Sequence, residues 1–153
     1  MTSPSIATCL WYASDAEAAA TLYCSLFDDA RITNILRQQG DPENRAFIVE
    51  FTLQGQSYTA MNGGPHYVLT PAASIAVMVD TQAEVDRLWA ALLADGGVES
   101  RCGWLTDRYG LSWQIVPRAL PRLLQSDTSG RVMRAMMGMV KLDIAAMEAA
   151  AQG

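Results

Sequence analysis

Apolar and polar positions alternate along residues 6–12, "IATCLWY", and that period of two predicts a strand. Ser14 and Asp15 then offer a cap, and over residues 16–27 Ala, Leu, Tyr and Phe recur at helical spacing. The succession returns further on. Residues 73–79, "ASIAVMV", read as a strand, Asp80 and Thr81 as a cap, and "QAEVDRLWAALLADGG" as a helix stopped at Gly96 and Gly97. Strands follow each helix. Residues 31–37 and 45–53 alternate, Gly55 and Gln56 make a turn, and residues 57–61 return; residues 98–105, a turn at 107–110 and residues 111–116 repeat the plan. Tyr58 stands three after Gly55 and Trp113 three after Gly110, so a duplicated β-α-β-β-β module is expected.

In residues 45–53 the alternation puts Phe47, Val49, Phe51 and Leu53 under the helix and leaves Ile48, Glu50 and Thr52 on the other face. Such far faces must cover one another or a ligand, and eight strands in two curled sheets predict a cupped groove. Past Pro117 the pattern turns helical. "RALPRLLQ", "SGRVMRAMMGMVK" and "LDIAAMEAAA" predict two or three short helices, with Ser129 and Asp143 as starts. Met133, Met136, Met137 and Val140 share a helical face suited to packing or a subunit contact. The expected organisation is α+β in one domain over residues 1–153: module one at about 1–66, module two at about 67–117 and a helical extension at about 118–153.

A chain of 153 residues buries a real core without a disulfide or metal. Half the residues are apolar, yet no run approaches the ~18 of a membrane span, and "MTSPSIATCLWY" lacks a basic stretch followed by a long apolar one. A soluble cytoplasmic protein is expected. Cys9, Cys24 and Cys102 have no C-x-x-C spacing and read as reduced, buried thiols. The formal charge of −5 and the lack of a basic run argue against a nucleic-acid partner.

Taken together, "CLWYASDAEAAATLYCSLF", "MNGGP", "VDTQAEVDRLWAAL" and "CGWLTDRYGLSWQIVPRAL" make the chain resemble the PhnB-like branch of the glyoxalase/bleomycin-resistance, or vicinal oxygen chelate, superfamily. The resemblance implies paired βαβββ modules forming a cup, usually in homodimers. Members of this branch often carry the label 3-demethylubiquinone-9 3-methyltransferase-like. S-adenosylmethionine-dependent methyl transfer typically uses a Gly-rich loop after the first strand, whereas here that strand runs into "WYASDAE".

Metal-using relatives would place His and Glu ligands where this chain has Thr8, residues 59–61, Ser74 and Gln114, and none of these is His, Asp or Glu. The one histidine, His66, lies in the loop "NGGPHY" and cannot make a multi-histidine site. No metal and no cofactor are expected. The predicted groove takes Thr8, Leu10 and Tyr12 from the first strand, Ser74, Ala76 and Met78 from the fifth, and Ser112, Gln114 and Val116 from the last. Met61 and Asn62 would add to it, Asn62–Gly64 as a lip, and Trp104 would stack on a flat ligand. This wall predicts a small, largely apolar organic ligand. Glu50, desolvated in the cup, is the candidate acid/base, while Cys102 has no neighbouring histidine to make it a nucleophile.

Overall fold

A computed structural model describes residues 3–153, and both predicted modules are present in it, each as a four-stranded sheet with one helix. The chain divides into two compact units, Met1–Leu69 and Thr70–Gly153. The first holds β1 (Thr8–Tyr12), α1 (Ala16–Ser25), β2 (Ala30–Arg37), β3 (Ala46–Leu53) and β4 (Gln56–Asn62), in sheet order β1-β4-β3-β2. The second holds β5 (Ser74–Val79), α2 (Gln82–Leu93), β6 (Val98–Glu99), β7 (Trp104–Thr106) and β8 (Ser112–Pro117), in sheet order β5-β8-β7-β6. In each sheet the first and last strands pair in parallel and the other pairs are antiparallel. The tail follows in the second unit as α3 (Ala119–Ser126), α4 (Arg131–Met137) and α5 (Ile144–Gln152). The fold is α+β.

The two main helices start differently. Thr81 caps α2 through a capping box, its hydroxyl accepting from the Glu84 N–H while the Glu84 carboxylate reaches back to the Thr81 N–H. Asp15 makes no such bond. The first N–H of α1, at Ala16, is satisfied from across the sheet by Asn62 Oδ1 at 2.9 Å, and the same amide donates to the Ala46 carbonyl at 2.9 Å. Asn62 thus ties the end of β4 to the starts of α1 and β3, its side chain engaged on the helix side of the sheet.

Ala16, Ala19 and Ala20 keep α1 close to its sheet, where Val49, Phe51 and Ala60 are buried. Tyr23 completes this core, its hydroxyl 2.9 Å from that of Tyr12. Val85, Leu88 and Leu92 of α2 are buried, as are Leu105, Trp113 and Ile115 of the sheet beside that helix. Phe47 departs from the expected alternation. Leu36 pairs with Ile48 and Arg37 with Ala46, so Phe47 is the extra residue of a bulge, exposed, and Ala46 takes the buried place. Residues 98–105 also break: β6 and β7 are separated by a turn in which Cys102 and Gly103 both have positive φ, 57° and 84°.

Leu120, Val132, Leu142 and Met147 form a buried cluster of the tail, with Val116 and Met136 against it. The tail is tied back at two places. Gln82 donates to the Leu142 carbonyl and accepts from the Ile144 N–H, while the N–H groups of Cys102 and Gly103 donate to the Met139 and Val140 carbonyls. Asp143 caps α5 as expected. At α4 Ser129 and Asp127 share the helix start: the Ser129 hydroxyl accepts from the Arg131 N–H, and Asp127 accepts from the Ser129 hydroxyl and the Val132 N–H, which hold its carboxyl down at about 2. Met133, Met137 and Val140 remain exposed. Among the described residues no helix is long and apolar enough to cross a membrane.

Candidate functional site

Strand register decides which side chains share a face, because residues opposite one another in neighbouring strands point the same way. On the face of the first sheet away from α1, three rows run across the strands. Trp11, Met61, Ile48 and Leu36 form one; Cys9, Thr59, Glu50 and Asn34 the next; Ser57, Thr52 and Arg31 the third. The first row is apolar and the other two are mainly polar. A bulge in β2 makes the middle row what it is. Ile32 pairs with Phe51 and Asn34 with Glu50, so the extra residue, Thr33, turns Asn34 onto this face. Asn34 Nδ2 then donates to Glu50 Oε2 at 3.1 Å.

A shallow pocket of about 200 Å³ opens at the polar end, walled by Ser5, Thr33, Glu50, Thr52, Ser57 and Thr59. Ile6, 90% exposed, stands at its edge. At the apolar end the loop after β4 closes over Trp11. The indole N–H donates to the Gly64 carbonyl at 2.8 Å, and the Tyr67 ring lies edge-on to Trp11 with centroids 5.0 Å apart. Gly63 is where this loop touches the ring: a Cβ there would fall 2.2 Å from an indole carbon. Gly64 has φ of 84°, so the two glycines supply the close approach and the left-handed backbone expected of them.

The structure splits the predicted site residues. Glu50 and Met61 stand on the far face, though Glu50 is exposed where desolvation was expected. Thr8, Leu10 and Tyr12 lie on the opposite, helix-covered face, in register with Tyr58, Ala60 and Asn62. Leu10 and Tyr12 are buried in that core, which corrects their assignment to the groove. Cys9 and Trp11 take their place, and Cys9 is exposed, not a buried thiol. Cys24 is half-buried, and burial pushes its thiol up. In the second unit Ser74, Met78, Trp104 and Gln114 all fall on the face away from α2, and Gln114 Nε2 donates to Ser74 Oγ at 2.9 Å. Ser112 shares that face but is buried.

The donor set does not fit a metal. In the first unit Thr8 offers a hydroxyl, in the second Ser74 and Gln114 offer a hydroxyl and an amide, and among the described residues no group of three or more His, Cys, Asp or Glu side chains comes together. The far face of the first sheet has the Glu50 carboxylate, several hydroxyls and the Asn34 carboxamide for hydrogen bonding to an organic molecule.

Two βαβββ units of this kind define the glyoxalase/bleomycin-resistance fold, as solved structures at low identity also have it. FosX, the genomically encoded fosfomycin resistance protein of Listeria monocytogenes, is similar at TM-score 0.52 and 17% identity, over 76% of this chain and 94% of that one. Protein PA1353 of Pseudomonas aeruginosa is similar at TM-score 0.62 and 21% identity, over 75% and 98%. Within that fold the chain belongs to the family described as 3-demethylubiquinone-9 3-methyltransferase, whose sequence profile matches residues 4–116. The chain is also 30% identical to the Bacillus cereus PhnB protein, called a putative member of that family by its description, with TM-score 0.68 over 74% of this chain and 99% of that one. No curated protein matches the sequence. The tail helices α3–α5 lie beyond the residues the family profile matches.

Proposed function

We propose that this protein binds a small organic molecule without a metal, on the face of the first sheet that carries Glu50. The observation that supports it is the pocket at Glu50, whose wall combines hydroxyls and one carboxylate for hydrogen bonding with Ile6, Ala7 and Phe51. Its lining is more polar than the apolar wall read from the sequence; the apolar surface lies one row away, at Trp11, Met61, Ile48 and Leu36. We propose a cytoplasmic homodimer, its subunit contact supported by the exposed Met133, Met137 and Val140 of the tail. Methyl transfer, the activity in the family's description, has little support in the residues: β1 passes into α1 through Ala13, Ser14 and Asp15, with no glycine-rich phosphate-type loop.

Native mass spectrometry of freshly purified, untagged protein is expected to show a dimer that retains an organic mass and carries no metal. Stoichiometric zinc, nickel, iron or manganese would overturn the reading. Glu50 beside Asn34 also favours a second reading, an enzyme on the same scaffold, such as an isomerase, lyase or ring-modifying activity, in which Glu50 moves a proton. With the retained compound identified, Glu50→Gln separates the two: an enzyme loses turnover by 10²-fold or more with affinity nearly intact. A binding protein loses affinity and has no turnover to lose.

A further inference from the structure

The three rows are not equivalent, and their order along the strands gives the site a polarity. Side chains two apart on a strand are ~7 Å from one another, so Glu50 stands about that far from Ile48 and on the diagonal from Met61. The apolar row continues past them, to Leu36 on one side, 50% exposed, and Trp11 on the other. Glu50 is the one charged side chain among the residues that line the pocket; Arg31 stands on the same face beyond Thr52, outside that lining. Asn34 occupies Glu50 Oε2, while Oε1 has no hydrogen-bond partner among the described residues. A free carboxylate oxygen beside hydroxyls, with no compensating cation in the pocket, selects a donor of positive charge and repels an anion. Beside it, the apolar row offers Ile48 and Met61 to a hydrocarbon or aromatic body.

From this arrangement we infer that the ligand is an organic ammonium compound: a protonated amine against Glu50, about two carbons removed from an aromatic or branched apolar body on the Ile48–Met61 row. The inference rests on the binding reading above and names its ligand class. Carboxylates, phosphates and phosphonates are disfavoured in the pocket itself, whose lining meets them with the Glu50 charge, Arg31 lying one row beyond it. The hydroxyls of Thr52, Ser57 and Thr59 take the remaining hydrogens of the ammonium group, which has three donors and no acceptor.

Three probes of one shape and different charge test this: 2-phenylethylammonium, 2-phenylethanol and 3-phenylpropionate, titrated at low salt into isotope-labelled full-length protein and followed by amide and indole NMR shifts. The ammonium compound is expected to shift Ile48, Glu50, Thr59 and the Trp11 indole, and to bind about tenfold more tightly than the alcohol, with the carboxylate weakest. In Glu50→Gln, ammonium and alcohol are expected to bind alike. If the alcohol or the carboxylate equals the ammonium in the unaltered protein while shifting the same residues, the charge preference is overturned and the binding face stands. If Glu50→Gln, shown folded by its spectrum, keeps the preference, Glu50 is not its source and the inference falls. If no probe shifts that face, both the ligand class and the binding reading are overturned.

Discussion

Replacing Asp107 by alanine is expected to lower the stability of the protein by about 3 kcal/mol, through the loss of one carboxylate that serves three donors. Asp107 is 3% exposed and sits at the start of the turn between β7 and β8. Its Oδ1 accepts from the Tyr109 and Leu111 N–H groups at 2.8 and 3.1 Å, and its Oδ2 accepts from the Trp113 indole at 2.9 Å. Trp113 is fully buried beside α2, so its N–H has no water to turn to when the carboxylate is removed. Asparagine in the same place keeps one oxygen for the backbone donors but turns an amide N–H toward the indole N–H, and an intermediate loss of about 1–2 kcal/mol is expected. Urea denaturation of the two variants should therefore rank them unaltered, Asp107→Asn, Asp107→Ala. An alanine variant within ~0.5 kcal/mol of the unaltered protein would show that the turn holds without its carboxylate.

Much of this architecture is legible in the sequence because its signals have contrast. In β8, Trp113 and Ile115 alternate with Ser112 and Gln114, so the large apolar pair goes under α2 and Gln114 falls on the far face. The Thr81 cap and the glycines after α2 are equally plain; Gly97 is packed so tightly that a Cβ would lie 2.5 Å from the Leu93 Cα. β1 lacks that contrast. Leu10 and Tyr12 on one face face off against Cys9 and Trp11 on the other, and a period of two with large residues on both sides gives no phase. Only the pairing of Leu10 with Ala60 decides it, and that is a long-range fact.

The bulges explain most of what remained unread at the site. A single extra residue reverses every side chain beyond it, and Thr33 and Phe47 carry nothing in their chemistry that marks them as bulged. The alternation alone therefore does not bring Asn34 to Glu50, and it puts Phe47 under the helix where Ala46 is the buried residue. Trp11 had a readable signal. The paired glycines of "MNGGP" announce a close approach of backbone to something large, and the nearest large residue across β4 is Trp11.

That approach sets the second large effect. At Gly63 the backbone φ is not in the left-handed region, so alanine is conformationally acceptable there and any cost comes from the indole of Trp11 alone. A Cβ at this position falls 2.2, 2.4 and 2.5 Å from three atoms of that ring, well inside contact distance. The ring is not free to swing aside, being bonded to Gly64 and packed on Tyr67. Gly63→Ala is expected to destabilise by about 1–3 kcal/mol, as overpacking does, and to shift the Trp11 indole N–H resonance as its bond to Gly64 lengthens. The cause can be isolated with a double-mutant cycle. On a Trp11→Ala background the added methyl has open space, so Gly63→Ala should cost less than ~0.5 kcal/mol there, leaving a coupling of 1 kcal/mol or more between the two sites. Equal costs on both backgrounds would mean that the loop, and not the indole, requires glycine. The same displacement moves the apolar end of the ligand face, so weaker probe binding should accompany the loss of stability in the single variant.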